Sequence, residues 1–316
     1  MAWPGAAPER IGRLSNRTMA LENTAELTVE RPPYDIVAPV RHSLPLVLSS
    51  PHSGRDYPAD LLATTRLDLA ALRQSEDSFV DEIFSAAPDL GAPLIRANFP
   101  RVYCDPNREP FELDPAMFAD RLPGHVNTTS LRVAGGLGTI ARVVSAGGEI
   151  YRDKLVFAEA ERRVATLYRP YHQALAGLIE ATRAGFGAAL LLDCHSMPSV
   201  GGPMDRDQGT PRPDIILGDR YGTSCDPALS ADIEEIVRDL GYRVCRNAPY
   251  AGGYTTVHYG RPEMAVHGLQ IEINRALYMN ERTIERLPAL RVLADDMARL
   301  IRRVGEVVVD RLPLTG

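Results

Sequence analysis

Two short, mainly apolar runs that each lead into a histidine set the tightest limit on how this chain can fold. Residues 44–50 (LPLVLSS) lead into Pro51-His52-Ser53-Gly54, and residues 188–193 (AALLLD) run directly into Cys194-His195-Ser196. Runs of this length without polar alternation read as strands covered on both faces. Further strands are expected at 93–97, 214–217, 242–246 and 268–273. Apolar spacing predicts helices over 67–87 (closed by Pro88), 153–183 (broken or kinked at Pro170), 227–240 and 281–309. Strands alternating with helices imply an α/β fold with a mainly parallel or mixed sheet covered on both faces. In such sheets ligands bind where strand ends open into loops, which is where both histidines are expected.

No repeat or interior linker divides the chain, so one domain over 34–316 is expected, preceded by a disordered tail over 1–33. Residues 1–18 lack the apolar run of a signal peptide, and Met19 is a plausible alternative start. The formal net charge of -6 argues against a nucleic-acid or anionic-membrane partner. No stretch reaches the ~18–20 apolar residues of a membrane span. Cys104, Cys194, Cys225 and Cys245 are scattered without a CxxC pair, which argues against a Cys₄ zinc site and a disulfide framework and favours reduced thiols in a cytoplasmic protein.

A neutral imidazole at a rigid strand end is a good metal ligand, and two in the same setting point to a shared ion. A hydrolytic zinc takes three protein ligands and keeps one position for water, so a further His or carboxylate is needed. Asp77 and Asp81, four apart, would project from one helix face; the alternative is a solvated acidic turn formed with Glu76 and Glu82. Residues 268–274 (GLQIEIN) alternate, placing Gln270, Glu272 and Asn274 opposite Leu269, Ile271 and Ile273. A Glu inside an apolar strand suits a general base whose pKa burial raises, unless this is an edge strand with a wet face. Residues 100–150 form a long irregular region, expected to be functional. Within it Arg101, Asn107 and Arg108 beside Tyr103 offer donors for an anionic substrate. The glycine-rich run 134–148 is not a P-loop, because no Gly-Lys-Ser/Thr follows, and no Gly-x-Ser-x-Gly elbow is present. Residues 251–260 (AGGYTTVHYG) read as a mobile or closely approached loop with His258 available to the site.

SPHSG (50–54), EDSFVDEIF (76–84), VYCDPNRE (102–109), GGLGTIARVV (135–144), IYRDKL (150–155), YHQAL (171–175), LLDCHSMPS (191–199), APYAGGY (248–254) and GLQIEINRALYMNE (268–281) together resemble the N-formylglutamate amidohydrolase family. The resemblance implies a three-layer α/β/α sandwich with a mixed, mainly parallel central sheet, phosphorylase/hydrolase-like, related to zinc carboxypeptidases and deacylases. It implies a zinc site of His52, a carboxylate and His195. The relatives' His-x-x-Glu is absent because residue 55 is Arg, and the matching acidic segment points to Asp77, with Glu76 as fallback. Glu272 falls on the catalytic base, and Asn107 with Arg108 on the pair that holds a substrate carboxylate. Arg101 or Arg275 would answer a second carboxylate, with Tyr254 also at the substrate. The implied reaction is N-formyl-L-glutamate plus water to formate and L-glutamate. Alternatives are a deacylase or carboxypeptidase-like peptidase for another small anionic N-acyl amino acid, or a non-catalytic binding protein of the same fold. Mn, Fe or Co also suit two His and one carboxylate.

Overall fold

A computed structural model describes residues 31–203 and 205–312. In it the two apolar runs lie side by side. The strands are β1 (Tyr34–Val37), β2 (Leu46–Ser50), β3 (Leu94–Ala97), β4 (Ala189–Met197), β5 (Ile215–Gly218), β6 (Val244–Arg246) and β7 (Val266–Asn274). They form one sheet in the order β1-β3-β2-β4-β7-β5-β6. β3, β2, β4 and β7 are mutually parallel; β1 is antiparallel to β3, β5 is antiparallel to β7, and β6 is parallel to β5. The mixed, mainly parallel sheet is therefore the one expected.

The helices are α1 (Ala59–Thr64), α2 (Leu69–Arg73), α3 (Val80–Ile83), α4 (Leu131–Ala134), α5 (Phe157–Arg163), α6 (Arg169–Phe186), α7 (Pro227–Asp239), α8 (Tyr254–Tyr259) and α9 (Ala289–Arg311). On one face of the sheet Leu46, Leu48, Leu190, Leu192, Leu269 and Ile271 pack against α3, α7 and α9, through Val80, Ile233, Met297 and Leu300. On the other, Val47 and Leu191 meet Tyr171 and Leu175 of α6 and the irregular 99–151 region, through Tyr103, Leu113 and Ile140. Each large apolar side chain buried in these layers contributes about 1.5–3 kcal/mol. Two cores on opposite faces make the three-layer α/β/α sandwich.

Several elements differ from expectation. β4 continues through Cys194, His195 and Ser196 to Met197, so His195 lies within a strand rather than in the loop after it. The single helix expected over 67–87 is two short ones, α2 and α3, split by an irregular segment in which Phe79 takes a left-handed φ of 68°. Asp77 therefore sits outside any helix, and it does not share a helix face with Asp81. The long helical pattern expected over 153–183 starts at Phe157 and is interrupted just before Pro170, where a π-helical stretch, Val164–Tyr168, joins α5 to α6. A wider turn absorbs the missing proline N–H that would break an α-helix interior. The helix expected from 281 starts only at Ala289, because Met279–Asn280 and Glu285–Arg286 pair as a small hairpin first. Residues 254–259 are helical, not loop.

The tail expected over 1–33 and the start at Met19 lie outside the described residues, save for residues 31–33. There the carbonyls of Pro32 and Pro33 accept hydrogen bonds from the Asn98 side chain and backbone, each at 2.9 Å. Among the described residues no helix is long and apolar enough to cross a membrane. All four cysteines are free thiols, three of them buried.

The turn after β2 passes so close to the strand end of β3 that only glycine fits. A Cβ on Gly54 would lie 2.1 Å from the Phe99 carbonyl oxygen. We expect Gly54→Ala to destabilise the fold by about 1–3 kcal/mol, read as a lowered Tm in thermal unfolding; an unchanged Tm would contradict this packing.

Candidate active site

The polar residues of the site share one face of the sheet because strand residues alternate. In β4, Leu190, Leu192 and Cys194 point into one core while Asp193 and His195 point to the opposite side. In β7, Leu269, Ile271 and Ile273 enter that same core, so Gln270 and Glu272 face as Asp193 and His195 do. The parallel register pairs Asp193 with Gln270 and His195 with Glu272. Ser49 at the end of β2 adds its hydroxyl, which donates to Asp193 Oδ1 at 3.1 Å. The wet-edge alternative for Glu272 does not hold: β7 lies between β4 and β5, and Glu272 is buried.

His52 comes from the turn after β2 and Asp77 from the segment between α2 and α3. Their backbones are joined by the Asp77 N–H donating to the His52 carbonyl at 3.0 Å. Asp77 Oδ2 lies 3.2 Å from His52 Nδ1 and 3.0 Å from His195 Nδ1, and the two Nδ1 atoms are 3.1 Å apart. These three ligand atoms converge on one point, and all three residues are buried. The reading of the acidic segment as a solvated turn is thus overturned for Glu76, Asp77 and Asp81, all buried. Glu76 does not join this group. Its carboxylate accepts from Tyr57, Arg73 and Ser78. Asp81 turns to Arg55 and Arg96. Arg55, at the position where the resemblance implied a Glu, therefore sits in a separate ion-pair cluster.

The outer nitrogens of the two imidazoles explain which nitrogens face inward. His52 Nε2 lies 2.8 Å from Asp105 Oδ1, and His195 Nε2 lies 2.9 Å from Asp193 Oδ2. A carboxylate accepts only, so each Nε2 carries a proton, and the two Nδ1 atoms are the nitrogens turned, with Asp77 Oδ2, toward the point where a cation would sit. Paired carboxylates in this position fix ring orientation and raise the basicity of a metal-ligating His. Neither Asp105 nor Asp193 was among the expected site residues. Asp193 had a sequence signal, since two residues before His195 on one strand means the same face. Asp105, in an irregular loop, had none.

The electrostatics fit a cation. Burial disfavours the charge on Asp77, yet contacts with His195 and His52 and the Arg101 charge outweigh it and hold the carboxyl well below its usual range. Burial likewise opposes ionisation of Asp105, but Arg101, Arg108 and His52 keep it well below that range. Burial would lower His195; Asp193 and Asp77, with Glu272, instead pull it well above the ordinary histidine value. A field that draws positive charge to a buried imidazole favours a divalent ion between two Nδ1 atoms and a carboxylate, a donor set suited to zinc. Burial, helped by Asp77, pushes Glu272 up to about 7 against His195, Arg101 and Arg275.

The expected substrate donors divide into two groups. Arg275 is buried and donates to Asp77 Oδ1 at 3.1 Å, to Ser196 Oγ at 3.2 Å and to the Gln74 carbonyl at 3.0 Å, so it braces the Asp77 carboxylate. Asn107 is also engaged with protein: its Oδ1 accepts from the Thr255 N–H at 2.9 Å and its Nδ2 lies 3.4 Å from Asp193 Oδ2. Both side chains are thus engaged by protein groups. Arg101 differs: its guanidinium pairs with Asp105 at 2.9 Å and lies 3.8 Å from Asp77, and its side chain is 22% exposed. Arg108 donates to the Leu137 and Asn107 carbonyls, both at 2.8 Å, while its Nη2 stays 3.7 Å from Asp105. Burial, aided by Arg132 and Arg101 against Asp105, pushes Arg108 down to about 9, as expected of a cation short of counter-charge. Tyr254 opens α8 and stacks on His258 at 4.9 Å between ring centroids. His258 is exposed and does not join His52 and His195. The close approach expected of 251–260 is present at Gly253, where a Cβ would lie 2.3 Å from Asn107 Oδ1.

Residues 44–279 match the family model described as N-formylglutamate amidohydrolase. An N-formylglutamate deformylase of Pseudomonas aeruginosa is 31% identical over 245 residues, which span 77% of this chain and 85% of the relative. A second, from Pseudomonas putida, is 29% identical over 241 residues, spanning 75% of this chain and 83% of its own. The crystal structure of N-formylglutamate amidohydrolase from Ralstonia eutropha JMP134 aligns with a TM-score of 0.81 at 39% identity, covering 89% of this chain and 99% of that one.

The pairing of Asp105 with His52 leads to a direct expectation. Asp105→Asn should weaken metal affinity about 10- to 100-fold while the protein stays folded. Competition against a chelator of known affinity measures it, and an unchanged affinity would remove Asp105 from the support of the centre.

Proposed function

Because the chain belongs to the N-formylglutamate amidohydrolase family, we propose that it hydrolyses the amide bond of N-formyl-L-glutamate to formate and L-glutamate, using a zinc ion held by His52, Asp77 and His195. The observation that carries this reading is the convergence of His52 Nδ1, His195 Nδ1 and Asp77 Oδ2 beside a buried Glu272. Bound there, zinc supplies polarisation of the formyl carbonyl and lowers the pKa of water to roughly 7.

The chain's own groups do the rest. Glu272, raised to about 7 by burial, is matched to taking a proton from the attacking water and returning it to the leaving nitrogen. Arg101, partly exposed beside Asp77 and Asp105, and Arg108, buried and under-compensated, supply the positive charge that two substrate carboxylates need. Asn107 and Arg275 act one step back, on Asp193 and Asp77. Tyr254, the first residue of the helix whose Thr255 N–H holds Asn107, is assigned to the substrate side of the pocket. Cytoplasmic residence is part of the proposal, supported by four free thiols.

Three measurements test the scheme. Glu272→Gln should lower kcat by about 10²–10⁴ while zinc content stays at wild-type level, and a near-normal rate would sink the base assignment. His195→Ala should lose zinc and activity together; a fully loaded variant would remove it from the ligand set. A panel of N-formyl, N-acetyl and N-succinyl amino acids should give the highest kcat/KM for N-formyl-L-glutamate, and preference for another acyl group would replace the substrate but keep the chemistry.

A further inference from the structure

Gln270 has no place in the scheme so far, yet it is buried and both ends of its amide are committed. Its Nε2 donates to Glu272 Oε1 at 2.8 Å, and its Oε1 accepts from the Gly253 N–H at 2.7 Å. These partners fix the amide orientation without ambiguity, because a backbone N–H only donates and a carboxylate only accepts. The strand places it there: residues 270 and 272 are two apart on β7, on one face, and Gln270 sits opposite Asp193 as Glu272 sits opposite His195.

We propose that Gln270 is the positioning residue of the general base, selecting which oxygen of Glu272 takes part in proton transfer. The inference rests on the assignment of Glu272 as base. The amide holds Oε1 as an acceptor, and among the described residues no protein donor is bonded to Oε2. Oε2 is thus the oxygen that receives a proton as water adds its hydroxyl to the formyl carbon. The same oxygen gives that proton to nitrogen as the C–N bond breaks, yielding formate and the free amine. Without the amide, the carboxylate would rotate about its terminal torsion and exchange its two oxygens. A displacement near 1 Å at a reacting group can lower the rate by about 10²-fold.

Gln270 also ties the base to the opposite wall. Its partner Gly253 immediately precedes α8, and Thr255 of α8 donates its N–H to Asn107 Oδ1. The Asn107 amide in turn lies 3.4 Å from Asp193 Oδ2, the carboxylate that holds His195. Gly253 is required at this crossing, since any Cβ would strike Asn107. A continuous hydrogen-bonded belt thus runs from Glu272 to His195.

Two variants test the assignment, each assayed as full-length zinc-loaded enzyme beside Glu272→Gln. Gln270→Met keeps the side-chain volume and removes both bonds; it should lower kcat about 10- to 100-fold with KM within twofold and zinc content unchanged. Gln270→Glu keeps the acceptor for Gly253 but replaces the donor with a second carboxylate, so kcat should fall at least as far even if the Met variant folds poorly. A purely structural role predicts the reverse for Gln270→Glu, near wild-type kcat with the Gly253 bond restored. Either variant at wild-type kcat, or a loss of activity that follows loss of zinc, overturns the inference. A near-normal Glu272→Gln removes the base assignment itself, whereas an inactive Glu272→Gln with an active Gln270→Met overturns only the role of Gln270.

Discussion

Asp77, Asp105, Asp193 and Glu272 are buried together at one end of an apolar sheet, and the surrounding structure answers that concentration of negative charge. An unpaired carboxylate in such a place costs several kcal/mol, so each must be met by a cation or by donors aimed at it. Asp77 has Arg275 on one oxygen and the two imidazoles on the other. Asp105 has Arg101 and the His52 N–H. Asp193 has the His195 N–H, the Ser49 hydroxyl and the Asn107 amide. Glu272 alone relies on a neutral amide for its hydrogen bond, and it is the one pushed up to about 7. The difference sorts the roles proposed for them: Asp77 and Asp105 are held well below the usual carboxylate range and Asp193 is bonded at both oxygens, whereas Glu272 is raised toward neutrality.

That sorting depends on β-strand alternation, which is also what made half of the site readable from sequence. His52 and His195 stood out because each ends an apolar run, and Glu272 because it interrupts one. Asp193 and Gln270 followed the same rule, at the same two-residue offset on their strands, but carried no chemistry of their own to draw notice. Asp77 was harder. Four acids within 76–82 look like a solvated turn, and what encloses Asp77 among them is tertiary: His52 and His195 on one side, and Arg275 from beyond β7 on the other. The split of the expected 67–87 helix has the same origin. A continuous helix would carry residue 77 on a regular face; the irregular segment with Phe79 in a left-handed conformation releases it to reach His52.

Roles of the arginines and Asn107 were less legible for a related reason. A guanidinium in a loop is equally suited to a substrate carboxylate and to one of the protein's own, and sequence does not rank the two. Here the protein's own carboxylates take Arg275 fully and Arg101 in part. Arg108 is instead bound to carbonyls, which satisfy its N–H groups without cancelling its charge. Burial depresses its pKa to about 9, against the charges of Asp105 and Glu112.

The loop that carries Asp105, Asn107 and Arg108 has no regular structure of its own, so its precision must come from what supports it. That support is the helical layer behind it. The Tyr168 hydroxyl donates to the Arg108 carbonyl at 2.8 Å, and His172 Nε2 lies 2.8 Å from the Pro106 carbonyl. Burial drives His172 down to about 4, so the ring is neutral and its Nε2–H is the donor while Nδ1 accepts from the Tyr259 hydroxyl. One turn earlier Arg163 donates to the Tyr103 carbonyl and stacks 3.7 Å over that ring. Residues 163 and 168 are five apart, which in an α-helix would turn them about 140° away from each other. The π-helical stretch between α5 and α6 takes up the extra residue, bringing Arg163 and Tyr168 onto the side that faces the loop. A rare helix geometry at this point is therefore explained by the active site: a regular helix would brace one end of the 103–108 loop and release the other, and with it the Asp105 that orients His52.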